Sequence, residues 1–467
     1  MSAGDVIAKQ RAAFLRDAPP GLEARRGDLK ALRAAIIARR RDIEHAIDAD
    51  FDGRSPRETA LVEVFGAVQA IDYLSRNLKR FMKPERRHVP PTFQLGRAYV
   101  EYQPLGVIGI LSPWNYPFLL AIVPLATALA AGNRAMLKPS ELTPRTSLLI
   151  KEMLARIFPE EKVAVILGDA QTGADFSGLA FDHLLFTGST QVGRSVMKAA
   201  SENLVPVTLE LGGKSPAIIE KGHVTDAHAG SIVFGKLTNA GQTCVAPDYL
   251  FVHEDDVSAF TDVFQRAVAK SYPQGVMSRD YASVINERHF ARLNALLDDA
   301  RQKGARVVEV SSIPASSAAN RTRVLAPHLV FDVSDDMMVM RDEIFGPILP
   351  VLTYRDIDEV IATINARPRP LALYMFGDAN GEACRAVLAR TTSGSAGINN
   401  TMLHVAQDDL PFGGVGASGI GAYHGIEGFR RMSHAKGIFV QGKWSLPSLL
   451  RAPFGRLTDW ALAFLLR

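Results

Sequence analysis

The chain has 467 residues, 47% hydrophobic and 22% charged, which allows two to four domains around a large core and describes an ordinary globular protein. Its 53 Lys+Arg against 49 Asp+Glu leave a net charge of only +4, and no basic run carries interleaved aromatics, so no nucleic-acid partner is expected. Two cysteines exclude a disulfide framework and no Cys/His cluster has zinc spacing, so a reducing, cytoplasmic protein without a metal is expected.

The N-terminus, MSAGDVIAKQRAAFLRD, mixes charges with apolar residues and has no long apolar run. It reads as an amphipathic helix, not a signal peptide. GDLKALRAAIIARRRDIEHAIDADF places Leu29, Leu32, Ile36, Ile43 and Ile47 at helical spacing. The Pro-rich KPERRHVPPTFQLG breaks this run, and RAYVEYQ then alternates like a strand.

From residue 105 short apolar runs alternate with helical stretches: LGVIGIL, a helix through LLAIVPLATALAAG, AMLKP, a helix from Arg145, VAVIL, HLLF, a helix from Ser189, and VTLEL. That alternation predicts βαβ units and a mostly parallel, doubly wound sheet. A second α/β series follows from PAIIE through YLFVHE, ILPVLTY, LALYMFG and GSAGINN. GIFVQG is a further strand, a candidate partner for RAYVEYQ. The final apolar run, Trp460 to Leu466, is too short to span a bilayer, which takes roughly 20 residues. It reads as a helix packed on the body or on a partner subunit, with an interfacial amphipathic segment as the alternative.

Several segments carry chemistry. In NAGQTCVAP, Gln242 and Thr243 precede the scarce thiol Cys244. This looks like an accessible loop, and the choice between a working thiol and a small buried hydrophobe stays open on this stretch alone. LLFTGSTQVGRSVM is a strand, a turn and a helix start: Gly188 permits unusual backbone angles, Ser189 is a good N-cap, Gly193 allows close packing, and the helix N-terminus favours a phosphate. A G-x-G-x-x-G match at Gly414, Gly416 and Gly419 follows no clear strand and reads as a mobile or tightly turned loop, not a dinucleotide fingerprint. Lys138 and Glu141 of KPSE lie just past a strand, where open sheets bind ligands; they hold two hydroxyls of a ribose or are a solvated pair. Glu210, at a strand end before Gly212-Gly213, is a candidate general base or a surface acid. Asn115, between Trp114 and Tyr116, is a candidate oxyanion donor or a turn residue.

A thiol, an amide donor, a carboxylate and a phosphate-binding turn are the parts of a redox acyl-transfer site. With PWNYP, KPSE, FTGST, LELGGK, GQTC, EIFGP and PFGGVGASGIGAYHG in that order, the sequence resembles the aldehyde dehydrogenase superfamily. The motifs span Pro113 to Gly425. GAYHG resembles the class 3 and fatty-aldehyde branch, and GQTCVAPDY and AYVEYQPLGVIGILSPWNYPF resemble its coniferyl aldehyde dehydrogenase-like bacterial members.

The resemblance implies a doubly wound Rossmann-like cofactor domain (1–85 and 105–211) and a second α/β catalytic domain (212–429). It also implies a small β bridging element (86–104 and 430–445), a C-terminal tail (446–467), and a homodimer. It implies that Cys244 attacks an aldehyde, that Asn115 and the Cys244 backbone N–H hold the oxyanion, and that Glu210 activates the water that hydrolyses the thioester. It assigns Lys138 and Glu141 to the adenosine ribose, Gly188, Ser189 and Gly193 to the pyrophosphate, Glu343 and Phe345 to the nicotinamide end, and Trp114 to the cofactor site. Tyr116, Thr243 and Phe412 are expected in the aldehyde pocket. NAD is the expected cofactor, with NADP open, and the reaction is oxidation of an aromatic or medium- to long-chain aldehyde to the acid. A CoA-acylating dehydrogenase and a catalytically silent relative are the alternatives. Cys384, in a predicted helix, reads as structural.

Overall fold

The computed structural model describes residues 2–310, 321–443 and 451–466. Helix Ala3–Arg16 opens on a capping box. The Ser2 hydroxyl accepts from the Asp5 N–H at 3.1 Å and the Asp5 carboxylate from the Ser2 N–H at 2.8 Å, which satisfies donors that a first helical turn leaves orphaned. The long predicted helical run is two helices, Leu22–Ala38 and Arg40–Phe51, broken at Arg39. Leu29, Leu32, Ile36, Ile43 and Ile47 are nevertheless all fully buried, so the break keeps one apolar face inward.

The first sheet has six strands in the order Gly419–Ile420, Val207–Glu210, His183–Thr187, Val107–Leu111, Arg134–Lys138, Val163–Val165. Five are parallel and Gly419–Ile420 is antiparallel. Val107–Leu111 and His183–Thr187 are buried at every position, as in a sheet covered on both faces. The chain starts at Val107–Leu111, builds outward through Val163–Val165, then returns to the other side with His183–Thr187. The strand order therefore reverses between those two neighbours, and ligands of open parallel sheets bind beyond the carboxyl ends at such a point.

The second sheet has seven strands: Arg306–Glu309, His328–Phe331, Ile348–Tyr354, Tyr249–His253, Pro216–Ile219, Ala372–Phe376 and Ser395–Ile398. Only the edge strand Arg306–Glu309 is antiparallel. It and His328–Phe331 were not expected from sequence. Each has four residues, too few for a readable period. The third sheet joins Glu85–Arg87, Arg97–Pro104 and Ser433–Val440. The expected pairing is present over eight positions, from Ser433 opposite Pro104 to Val440 opposite Arg97.

Two expectations meet a different structure and one, the turned glycine loop, is met. Gly419–Ile420 lies within 212–429 but pairs with Val207–Glu210 of the first sheet, so the chain returns to the cofactor side near its end. The glycine loop is a tight turn, with φ +66° at Gly416 and +152° at Gly419, and a Cβ on Gly414 would lie 2.0 Å from the Ser418 carbonyl oxygen. The C-terminal helix forms at Arg456–Leu465 but buries no residue. Trp460 and Phe464 are each 67% exposed and stack on one another at 6.1 Å, so packing on the body of the same chain is overturned. Residues 446–450 of the expected tail lie outside the described residues. Among the described residues no helix is long and apolar enough to cross a membrane.

Candidate active site

The segment after Val107–Leu111 meets the thiol segment directly. Asn115 is buried, and its Nδ2 donates to the Gln242 carbonyl at 3.1 Å. One position on, the Tyr116 and Thr243 hydroxyls are 2.7 Å apart. One N–H of the Asn115 amide is used in this way, and an amide has two.

The thiol segment is not the accessible loop the sequence suggests. Helix Asp226–Leu237 ends, and Asn239, Ala240 and Gly241 take φ of +52°, +51° and +76°. Gly241 is required there: a Cβ would lie 2.4 Å from the Gly346 carbonyl oxygen. Gln242 is fully buried because its amide has partners. Nε2 donates to the Asn239 and Ser283 carbonyls at 2.9 and 3.0 Å, and Oε1 accepts from the Ile285 N–H at 2.9 Å. Cys244 is half-buried. Burial pushes its thiol up to about 12, and the nearby carboxylates of Glu343 and Glu210 push the same way. The backbone N–H groups of Cys244 and Val245 act in the opposite sense. Cys384 is buried in helix Glu382–Arg390.

Glu210 ends Val207–Glu210. It is buried, and neither carboxylate oxygen has a hydrogen-bond partner. Burial raises its carboxyl well above the usual range, with Arg431 opposing weakly. Burial without a partner disfavours the charged form of the carboxyl. Gly212, which follows Glu210 closely in sequence, makes room for a different acid: a Cβ there would lie 2.3 Å from both carboxylate oxygens of Glu343. Burial, then Asp248, raises Glu343 to about 8. Two residues on, Phe345 is left-handed at φ +53°, and its ring meets Trp114 edge-on at 5.4 Å.

Past the end of Arg134–Lys138, one strand from the switch point, Lys138 Nζ and Glu141 Oε2 are 2.9 Å apart, with Lys138 buried and the Glu141 side chain 40% exposed. Partial burial works to raise the Glu141 carboxyl, but Lys138 outweighs it and the net shift is downward. Ser189 caps helix Thr190–Ser201, accepting from the Val192 N–H. A Cβ on Gly193 would lie 2.6 Å from Leu211 Cδ2, the close packing expected. Gly188 differs from expectation. It is not among the residues of positive φ; its lack of a side chain leaves space for the Phe186 ring, 2.5 Å from where a Cβ would stand. Ser112 Oγ and Thr187 Oγ1, at the ends of the two strands flanking the switch, are buried without partners. A capped helix N-terminus, two orphaned hydroxyls and a Lys–Glu pair past a strand end fit a dinucleotide.

Of the expected pocket residues, Tyr116 and Thr243 touch one another, whereas Phe412 stacks on His424 at 4.9 Å and lies 6.4 Å from His404. His404 in turn lies 5.7 Å from Tyr374, whose hydroxyl donates to the Val245 carbonyl. Burial lowers His404 to about 4 and leaves both ring nitrogens unpaired. Sequence reasoning missed Tyr374, His404 and Arg54. Only Arg54 carries a signal, since Glu63 of its buried ion pair sits between Val62 and Val64. Among the described residues no group of three or more His, Cys, Asp or Glu side chains is arranged to hold a metal.

Residues 3–438 match the model of the aldehyde dehydrogenase family. The chain belongs to that family. This aldehyde dehydrogenase is 49% identical to a protein named "Probable coniferyl aldehyde dehydrogenase" from Pseudomonas aeruginosa, over 97% of this chain and 93% of that one. It superposes on substrate-bound AldH of Staphylococcus aureus with a TM-score of 0.90 at 36% identity, covering 99% of each chain. It superposes on the aldehyde dehydrogenase of Mycobacterium tuberculosis in complex with NAD+ with a TM-score of 0.84 at 28% identity, covering 95% of this chain and 91% of that one. The enzyme is an NAD(P)-dependent aldehyde dehydrogenase with a Rossmann-like cofactor domain.

Proposed function

We propose that Cys244 is the nucleophile, that Asn115 with the Cys244 N–H holds the oxyanion, and that Glu210 is the base that delivers water to the thioester. The observation that carries this reading is the bond from Asn115 to Gln242, which brings an amide donor beside the thiol segment, together with the partnerless carboxylate of Glu210. The raised thiol keeps its proton in the free chain, so reaction begins when Cys244 loses that proton to solvent as Sγ bonds to the aldehyde carbon. The second Asn115 N–H and the N–H at Cys244 stabilise the oxygen as it takes charge. NAD(P), when bound, accepts the hydride from the aldehyde carbon. Glu210, in its ionised form, then removes a proton from the water that attacks the thioester, and Cys244 leaves with the acid released.

Lys138 and Glu141 hold the adenosine ribose. Gly188, Ser189 and Gly193 shape the pyrophosphate site, and Glu343, Phe345 and Trp114 the nicotinamide end. Tyr116, Thr243 and Phe412 line the aldehyde pocket, whose aromatic character suits an aromatic aldehyde such as coniferyl aldehyde, with longer aliphatic aldehydes next. The domains divide at 1–85 with 105–211, 212–429, and the bridging strands 86–104 with 430–445. The exposed outer edge of Ser433–Val440 makes a homodimer through sheet extension the expected assembly, and the location is cytoplasmic. The test is formation of reduced nicotinamide from a panel of aldehydes, with and without CoA. Turnover without CoA that yields the free acid supports this reading, and a strict need for CoA overturns hydrolysis through Glu210.

A further inference from the structure

Beneath the site lies a charged group that the reaction scheme does not use. Arg54 has a fully buried side chain. Its guanidinium reaches Glu63 at 2.8 Å, Glu58 at 3.3 Å and the Asn115 carbonyl at 3.0 Å, and it lies over the Tyr116 ring at 4.7 Å. The two acids carry the contact further. Glu63 accepts from the N–H groups of Phe118 and Leu119 at 2.8 and 3.1 Å, fixing the segment after Asn115. Glu58 accepts from the N–H of Asn239 at 3.2 Å, and Asn239 Nδ2 donates back to the Asn115 carbonyl at 2.9 Å.

Asn239 and Ala240 are not glycines, yet both are left-handed. Such a backbone persists only where its surroundings over-determine it. Glu58 bonds the first residue of that turn and Arg54 orients Glu58. The same guanidinium holds Asn115, so one side chain couples the amide donor to the turn that presents the thiol. The residues that supply the clamp come from helix Pro56–Thr59 and the π-helical segment Ala60–Phe65, and π-helical insertions occur often at functional sites.

We propose that Arg54 is a positioning residue for the reaction, holding Asn115 and the Asn239–Gly241 turn in the register that sets Cys244 against the amide donor. The inference rests on the function proposed above. An Arg fork makes several directed bonds at once, which an ammonium on a shorter reach does not reproduce.

The experiment uses full-length Arg54→Lys and Arg54→Met, with Glu58→Gln as a milder probe of the same chain of contacts. Folding is followed by circular dichroism and NAD binding by fluorescence, and active sites are counted by thiol alkylation. In Arg54→Lys the fold and NAD affinity are expected to hold while the burst of reduced cofactor per active site slows at least tenfold. The KM for aldehyde should move less than threefold, and Glu58→Gln should shift the burst in the same direction by less. Alkylation of Cys244 at pH 8 in the free enzyme should speed up at least threefold as the turn relaxes, with Cys384 unchanged. A burst rate per site and an alkylation rate both equal to wild type overturn the proposal, even with a lowered melting temperature. Failure of all three variants to fold assigns Arg54 to the core alone and also overturns it. The alkylation arm needs no turnover, so it judges Arg54 separately from the result that would sink the functional reading, a wild-type enzyme that oxidises no aldehyde.

Discussion

Asn115 donates from its side chain to the backbone carbonyl of Gln242 at 3.1 Å, a contact between residues 127 positions apart in sequence. It ties the loop beyond one sheet to the turn that carries the thiol. Several properties of the enzyme hang on that junction.

Cys244→Ala should abolish aldehyde oxidation and leave NAD binding intact, because the thiol makes the covalent bond and the residues proposed to hold the cofactor are others. Cys384 is buried in helix Glu382–Arg390, and Cys384→Ala should keep turnover within about twofold, as expected of a small structural hydrophobe. Steady-state rates of the two variants decide it; a dead Cys384 variant beside an active Cys244 variant would reverse the assignment.

Glu210→Gln should slow hydrolysis of the thioester more than formation of reduced cofactor. Rapid mixing should show a burst near one equivalent per active site followed by a steady rate lower by about 100-fold, within the usual range for a lost general base. If burst and steady rate fall together, Glu210 acts on the thiol and not on water.

The free enzyme's thiol is held up near 12 by burial, with Glu343 and Glu210 adding to it. Below that value the thiolate fraction rises with pH, so iodoacetamide should alkylate Cys244 about tenfold faster for each pH unit between 7 and 10. The sign is that of an acid whose charged form is disfavoured. A plateau already reached at pH 8 to 9 would mean that the thiol is not desolvated in solution.

Glu141→Gln should favour NADP. The carboxylate beside Lys138 accepts from a ribose hydroxyl and repels a phosphate at the same place. Its partial exposure screens the repulsion, so the ratio of kcat/KM for NADP over NAD should rise by about tenfold, which is about 1.4 kcal/mol of discrimination. An unchanged ratio would remove Glu141 from the ribose site.

Gly212→Ala should weaken cofactor use, because its Cβ would stand 2.3 Å from both oxygens of Glu343 and force that side chain away. The KM for NAD is expected to rise about tenfold or more, and Cys244 should alkylate somewhat faster at fixed pH because Glu343 no longer pushes its thiol up. An unaltered KM would show that Glu343 does not contact the cofactor.

The sequence by itself determined the family and the alternation of strand and helix, because apolar runs and turn residues are local signals that survive without tertiary context. It placed Ser189 as an N-cap and Gly193 as a close-packing glycine, and it matched RAYVEYQ with GIFVQG as partner strands. What only the tertiary structure decided are the properties that depend on neighbours distant in sequence. A polar Gln242 reads as exposed until the Ile285 and Ser283 backbone groups that satisfy it are in place. The Cys244 thiol reads as lying in an accessible loop until burial and two carboxylates are seen to hold its proton. The Gly212 next to one acid proved to serve another, Glu343, from across the fold. The C-terminal helix formed as its apolar spacing predicts, yet spacing cannot say what it packs against, and none of its described residues is buried. Arg54 left almost no trace in the sequence because its partners Glu63, Asn115 and Asn239 come together only when three separate segments close around one buried guanidinium.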